Sequence, residues 1–155
     1  METPLNERTC TISAAGEAIG RGPETVRGWL QRGGGPYLFS TNQGGWRRFF
    51  GADIAIMALA APMIEFGIQP EFAFKMAREI IVEQAEVGKP SWAQAKHLAA
   101  ILAEKRLLVR NDADRWRAVL VSDRHDIANL GGSALVLNPC ALIRDAFWRM
   151  DGEID

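Results

Sequence analysis

Two neighbouring guanidinium groups, Arg47 and Arg48, stand among three aromatic rings in the run Gly45-Trp46-Arg47-Arg48-Phe49-Phe50. Fixed positive charge with several N–H donors on an apolar scaffold suits the gripping of an anion such as phosphate. Upstream, Glu24, Thr25, Arg27 and Gly28 fall within one short stretch. Hydroxyl, guanidinium and carboxylate groups can read a groove of a duplex, and a glycine lets a backbone come close. Asp123-Arg124-His125-Asp126 is the one cluster that invites acid–base work, since an imidazole between carboxylates can carry a proton. No nucleophile and no Gly-rich phosphate loop accompany it, so it reads as a solvated turn, and the chain as no enzyme. Cys10 and Cys140 lie far apart, as do His97 and His125, and nothing has metal-ligand spacing. The cysteines read as reduced structural thiols. Trp92, Trp116 and Trp148 read as packed core rather than a ligand pocket. Neither a metal nor a cofactor is implied.

The chain that positions these groups has 155 residues, 48% of them hydrophobic and 24% charged, with a formal net charge of −1. That is enough for one sizeable core or two small ones. Charge is unevenly placed. Residues 1–50 carry six arginines against four glutamates, a balance of +2, which leaves −3 for residues 51–155. A near-neutral whole therefore does not exclude an anionic partner for the N-terminal part. The longest apolar run, Ile54 to Ile64, is broken by Pro62 and too short for a membrane span. The first residues lack a basic segment followed by an apolar one, so no secretory signal is read, and a cytoplasmic, nucleoid-associated location is expected.

Residues 1–10 read as a loose lead-in. Ile12 to Ile19 reads as a short helix with Ser13 as its cap and Ala14, Ala18 and Ile19 inward. Gly20-Arg21-Gly22 breaks it. Pro23 is suited to the first position of a second helix, Pro23 to Gln31, because its missing N–H would be unpaired there anyway. Val26, Trp29 and Leu30 form its apolar stripe, leaving Thr25, Arg27 and Gly28 off it. Gly33-Gly34-Gly35-Pro36 ends it. Two short helices around a tight glycine turn make a helix-turn-helix pattern. Tyr37-Leu38-Phe39 and Trp46-Arg47-Arg48-Phe49 then read as two strands joined by the turn residues 40–45, that is, a hairpin or wing. Alternation puts Trp46 and Arg48 on one face and Arg47 and Phe49 on the other. Asp53 caps a following helix that Pro62 kinks or ends. Gly67 closes the segment, and Gln69-Pro70 opens another helix with Phe74, Ala77, Ile80 and Ile81 inward.

The order of these elements resembles the MerR-type winged-helix DNA-binding domain from about Thr11 to Ile81. "TISAAGEAIGRGPETVRGWLQRG" is similar to that family's opening, with the aliphatic-Arg-x-aromatic core as Val26-Arg27-Gly28-Trp29. "GWRRFFGADI" resembles its wing exit, and "FGIQPEFAFKMAREI" its next turn and helix. The resemblance implies phosphate and groove contacts for Arg27, Arg47 and Arg48, and backbone contacts for Thr25 and Tyr37. Arg21, Glu24 and Gly28 complete the expected DNA-binding set. Gly28 stands where the family has a bulky residue, and the long helix that pairs ordinary members as a coiled coil is not evident.

Residues 83–90 read as a boundary between a DNA-binding domain, 11–86, and a small α/β module, 90–155, for dimerisation, an effector or a protein partner. That module reads as a helix over 91–108, a loop at 111–114, and strands at Trp116 to Ser122 and Ser133 to Asn138. Residues 123–132 link the two strands as a hairpin. A last helix starts at Pro139, with Leu142, Ile143, Ala146 and Phe147 inward. The expected fold class is mainly α with small β (α+β). The expected function is a sequence-specific transcription regulator that binds double-stranded DNA as a homodimer. The alternatives are a phage-type architectural or packaging protein, like an excisionase or small terminase subunit, and a protein-interaction module on a degenerate winged helix.

Overall fold

The computed structural model describes residues 9–40, 42–43, 46–85, 99–112, 115–122 and 134–154. The chain is a mixed α+β fold. Helix α1, Ile12–Ala18, starts from Thr11 rather than Ser13: the Thr11 Oγ1 accepts the Ala14 N–H at 3.3 Å. It buries Ala15, Gly16 and Ala18. The chain reverses at Gly20, whose φ of +73° is open to glycine at no steric cost. A Cβ on Gly16 would lie 2.5 Å from the Arg21 carbonyl oxygen, so this turn requires glycine there too. Helix α2, Pro23–Trp29, begins with its proline in the first turn and buries Val26 and Trp29.

Beyond Trp29 the backbone runs on as a wide turn over Leu30–Gly34 and one tight helical turn over Gly35–Tyr37. The strand expected at Tyr37 to Phe39 does not form. Gly33, at φ +101°, redirects the chain, and the amides of Phe39 and Ser40 are taken by the Asp53 carboxylate instead of a ladder partner. The hairpin lies later and is shorter: β2, Asn42–Gln43, pairs with β3, Trp46–Arg47. Strand β4, Phe49–Phe50, changes partner and pairs antiparallel with β1, Thr9–Cys10. Part of the supposed lead-in is therefore structural. Phe49 is buried, Arg47 half-buried and Arg48 exposed.

Helix α3, Gly51–Glu65, is the centre of the molecule and is buried on every side from Gly51 to Ala61. Burying a side chain the size of Ile54, Met57 or Leu59 contributes about 1.5–3 kcal/mol each. Pro62 does not end the helix, since the helix runs on to Glu65. Gly67, at φ +115°, makes the exit. Helix α4, Pro70–Ala85, packs on α3 and on the glycine turn, with Phe74 edge-on to Trp29 at 6.2 Å between centroids.

The second segment departs most from expectation. Helical backbone is described only at 99–101, and Arg106–Asp112 is a strand, β5, where helix and then loop were expected. It is the centre of an antiparallel sheet in the order β6-β5-β7, with β6 at Arg115–Val121 and β7 at Leu135–Leu137. The run Leu107-Leu108-Val109 is buried, as befits a central strand. Strands β6 and β7 flank β5 and do not pair with each other, so residues 123–132 cannot join them as a hairpin. Those residues, like Trp92 and most of the expected helix from 91, lie outside the described ones.

Helix α5, Pro139–Ile154, has Asn138 ahead of it, whose Oδ1 accepts the Ala141 N–H at 3.1 Å. Ile143, Ala146, Phe147 and Met150 are buried, whereas Trp148 is 80% exposed and not core. Trp116 is half-buried, edge-on to Phe66 at 6.1 Å. Helix α5 lies on α1 and α3, and β6 on α4, so segments 11–86 and 90–155 share one contiguous core. Among the described residues no helix is long and apolar enough to cross a membrane.

Candidate nucleic-acid interface

The key fastening is Asp53. Its side chain is fully buried in the first turn of α3. One carboxylate oxygen accepts the Phe39 N–H at 2.6 Å, the other the Phe50 N–H at 2.9 Å, and the Ser40 N–H reaches both, at 3.4 and 3.3 Å. Burial raises its pKa, opposed by the hydrogen bonds from Phe50, Ser40 and Phe39. Asp53 was expected to start α3; it is instead the third residue of the helix and closes its entry by accepting the Phe50 N–H. It ties the segment entering the hairpin to the strand leaving it.

That tie brings Arg47 and Arg48 beside α2. A groove of about 870 Å³ runs between the start of α1, the end of α2 and β3, and Arg27, Gln31, Arg47 and Arg48 all line it, over a floor that includes Leu30 and Phe49. Arg47 donates from Nη1 to the Gly35 carbonyl at 3.3 Å, one of the five donors of a guanidinium. A Cβ at Gly35 would lie 3.4 Å from the same nitrogen, an ordinary contact, so the approach does not depend on glycine there. Arg27 pairs with Glu24 one helical turn back, with the two side chains 46% and 84% exposed. Such a surface pair is worth about 0.2–1 kcal/mol, so a phosphate can displace the carboxylate. Glu24 takes Arg27, and Asp53 takes backbone amides.

Cys10 pairs in the β1–β4 ladder with Phe49, which lines the groove. Burial pushes its thiol up to about 11, with the Arg48 charge opposing and the Asp53 carboxylate adding. Both cysteines are unpaired with each other, Cys10 buried and Cys140 half-buried.

The other expected residues are placed differently. Arg21 sits at the α1–α2 turn, where it pairs with Glu65 and donates to the carbonyls of Gly20 and Ile19 at 3.0 and 3.3 Å. Tyr37 is half-buried, and its carbonyl accepts Arg78 Nη1 at 2.9 Å. Thr25 is exposed on α2 and Gly28 half-exposed, neither lining the groove. The Arg32 Nε donates back to the Gly28 carbonyl at 3.2 Å, which sets another cation at the end of α2. Arg32 and Gln31 were missed in the sequence. The spacing of four from Arg27 to Gln31, and from Gly28 to Arg32, was the signal that could have found them. Asp123-Arg124-His125-Asp126 lies outside the described residues, among which no group of three or more His, Cys, Asp or Glu could hold a metal.

Comparison with known proteins adds no assignment: no family model matches the chain, and no curated protein matches it.

Proposed function

We propose that the protein binds double-stranded DNA as a sequence-specific transcription regulator. In this reading α1, its glycine turn and α2 act as a helix-turn-helix, and the β2–β3 hairpin acts as a MerR-type wing. The observation that carries the reading is the convergence of Arg27, Arg47 and Arg48 on one open groove. Among the described residues no carboxylate lines that groove, which suits a polyanion's path. Arg47 and Arg48 would neutralise backbone phosphates. Arg27, Gln31 and Thr25 lie on or just after α2, the element that would enter the major groove. One short helix and one short wing make few contacts, so two copies on a palindrome would supply the affinity.

Fluorescence anisotropy on a pool of genomic duplex fragments, titrated at several salt concentrations, tests the reading. Affinity is expected to fall steeply with salt, and Arg47→Ala or Arg48→Ala to lower the logarithmic salt slope by about one each. Arg27→Ala is expected to weaken binding and also to change which fragments are selected. Wild-type affinity in the Arg27→Ala, Arg47→Ala, Arg48→Ala triple variant would refute the proposal.

A further inference from the structure

Two guanidiniums hold the two ends of one short turn. Arg47 of the hairpin donates to the Gly35 carbonyl, the first of the turn Gly35–Tyr37, at 3.3 Å. Arg78 of α4 donates to the Tyr37 carbonyl, the last of that turn, at 2.9 Å. The guanidinium carbon of Arg78 also lies 4.2 Å from the centre of the Phe39 ring. A planar cation can do both at once, its edge to a carbonyl and its face to a ring. The same stripe of α4 seats the chain just before the turn. Glu71, Phe74 and Arg78 follow one another at helical spacing. A Cβ on Gly33 would lie 2.9 Å from the Glu71 Cβ, and one on Gly34 would lie 2.9 Å from the Phe74 ring. These glycines let the backbone rest directly on α4. From the other side, the Asp53 carboxylate takes the Phe39 and Ser40 amides. The turn is thus held through amides by α3 and through a carbonyl and a ring by α4, and Arg47 rests on what they hold.

We propose that Arg78 is a positioning residue of the arginine groove: by clamping the turn Gly35–Tyr37 to α4, it sets where Arg47 presents its remaining donors. Arg78 does not itself line the groove. What Arg47 then grips rests on the duplex-binding reading; how it is held does not. Other roles for Arg78 have different signatures. An Arg78 that gripped phosphate directly would add its effect to that of Arg47, because independent contacts add. An Arg78 that only stabilised the fold would leave the affinity of the folded protein unchanged. Acting through Arg47 does neither: removal of Arg78 weakens binding, but only while Arg47 is there to be misplaced.

A double-mutant cycle on the full chain tests this, with duplex affinity read by anisotropy well below the unfolding midpoint. Arg78→Met is expected to raise Kd about fivefold alone and by less than about twofold in an Arg47→Ala background, a coupling of the size that networked residues show. Arg78→Lys keeps the charge but can serve the carbonyl or the ring, not both, and is expected to fall between wild type and Arg78→Met. Phe39→Leu removes the ring, leaves the carbonyl bond and is expected to raise Kd about twofold. Should Arg78→Met fail to fold, Arg78→Lys and Phe39→Leu complete the cycle with Arg47→Ala. Additive effects, or a Kd that Arg78→Lys and Phe39→Leu both leave at the wild-type value, overturn the proposal. Amide exchange on the free protein separates it from the duplex-binding reading. The Leu38 N–H, bonded to the Gly35 carbonyl at 3.2 Å, is expected to exchange about tenfold faster in Arg78→Met. The Ala15 N–H, bonded to the Thr11 carbonyl at 2.9 Å, is expected to keep its rate. If wild type binds no duplex at low salt, the duplex-binding reading fails and the exchange alone decides: faster exchange at Leu38 upholds the clamp, and an unchanged rate overturns it.

Discussion

Replacing Asp53 by asparagine is a change of one atom type, and its consequence can be worked from the hydrogen bonds. The carboxylate offers acceptors on both sides, one towards Phe39, one towards Phe50, with Ser40 between them. An asparagine keeps one oxygen and turns an NH2 donor towards the amides on the other side. At least one buried N–H then loses its partner, at about 1–3 kcal/mol. Asp53→Ala strands all three amides and is expected to cost about 3–5 kcal/mol. Urea unfolding followed by tryptophan fluorescence measures both. With a slope of about 2 kcal/mol per molar, a loss of about 3 kcal/mol lowers the midpoint by about 1.5 M. The pH dependence follows from the raised pKa. The folded state holds the Asp53 proton more tightly than the unfolded chain does. Stability from this group is therefore fullest below its ordinary value of 3.8 and declines as pH rises through the folded pKa. A carboxamide at this position does not titrate, so the deficit of Asp53→Asn is expected to be larger in acid than at neutral pH. The alanine variant is also expected to weaken DNA binding without Asp53 touching DNA, because the hairpin entry is released. A midpoint for Asp53→Asn within about 0.2 M of wild type would show that Asp53 does not fasten the hairpin to α3.

Glycine substitutions probe the close approaches. Gly16→Ala drives a Cβ against the Arg21 carbonyl, and Gly34→Ala drives one to 2.9 Å from the Phe74 ring. Each is expected to lower stability by about 1–3 kcal/mol in thermal or urea melts, with Gly16 the worse because backbone yields least. Thiol reagents in native buffer at neutral pH are expected to label the half-buried Cys140 and spare Cys10, whose thiol stays protonated. Labelling of Cys10 at the rate seen in urea would contradict its burial. Arg149→Met removes the donor at 3.2 Å from the Ala18 carbonyl and is expected to cost about 1 kcal/mol. Trp148→Ala, at an exposed position, is expected to change stability by less than about 0.5 kcal/mol.

Local chemistry made several elements legible. Pro23, Pro70 and Pro139 each open a helix where expected, because a missing N–H and a preset φ suit the first turn whatever lies elsewhere. Gly20 and Gly67 mark turns through positive φ, again a property of one residue. The inward stripes of α2, α4 and α5 followed from helical period. The pairing of strands did not. Strand β1 meets β4 across about forty residues of chain, and β5 takes the centre of the sheet, between β6 and β7. Leu107-Leu108-Val109 is short and apolar, and periodicity alone cannot tell a buried strand from the end of a helix.

The sequence by itself determined the charge placement, the starts of the three proline-led helices, the reversals at Gly20 and Gly67, and a hairpin whose second strand holds Trp46 and Arg47. Tertiary structure alone decided that Asp53 gathers three amides from two segments, that Arg47 rests on Gly35, and that Arg27, Arg47 and Arg48 share one groove while Arg21 and Tyr37 are used elsewhere. It also decided that α5 closes on α1, so that both halves hold one core. The physical reason is the range of the forces. Caps, turns and helical period act within a few residues, whereas burial of a carboxylate, choice of strand partner and convergence of guanidiniums depend on groups far apart in the chain.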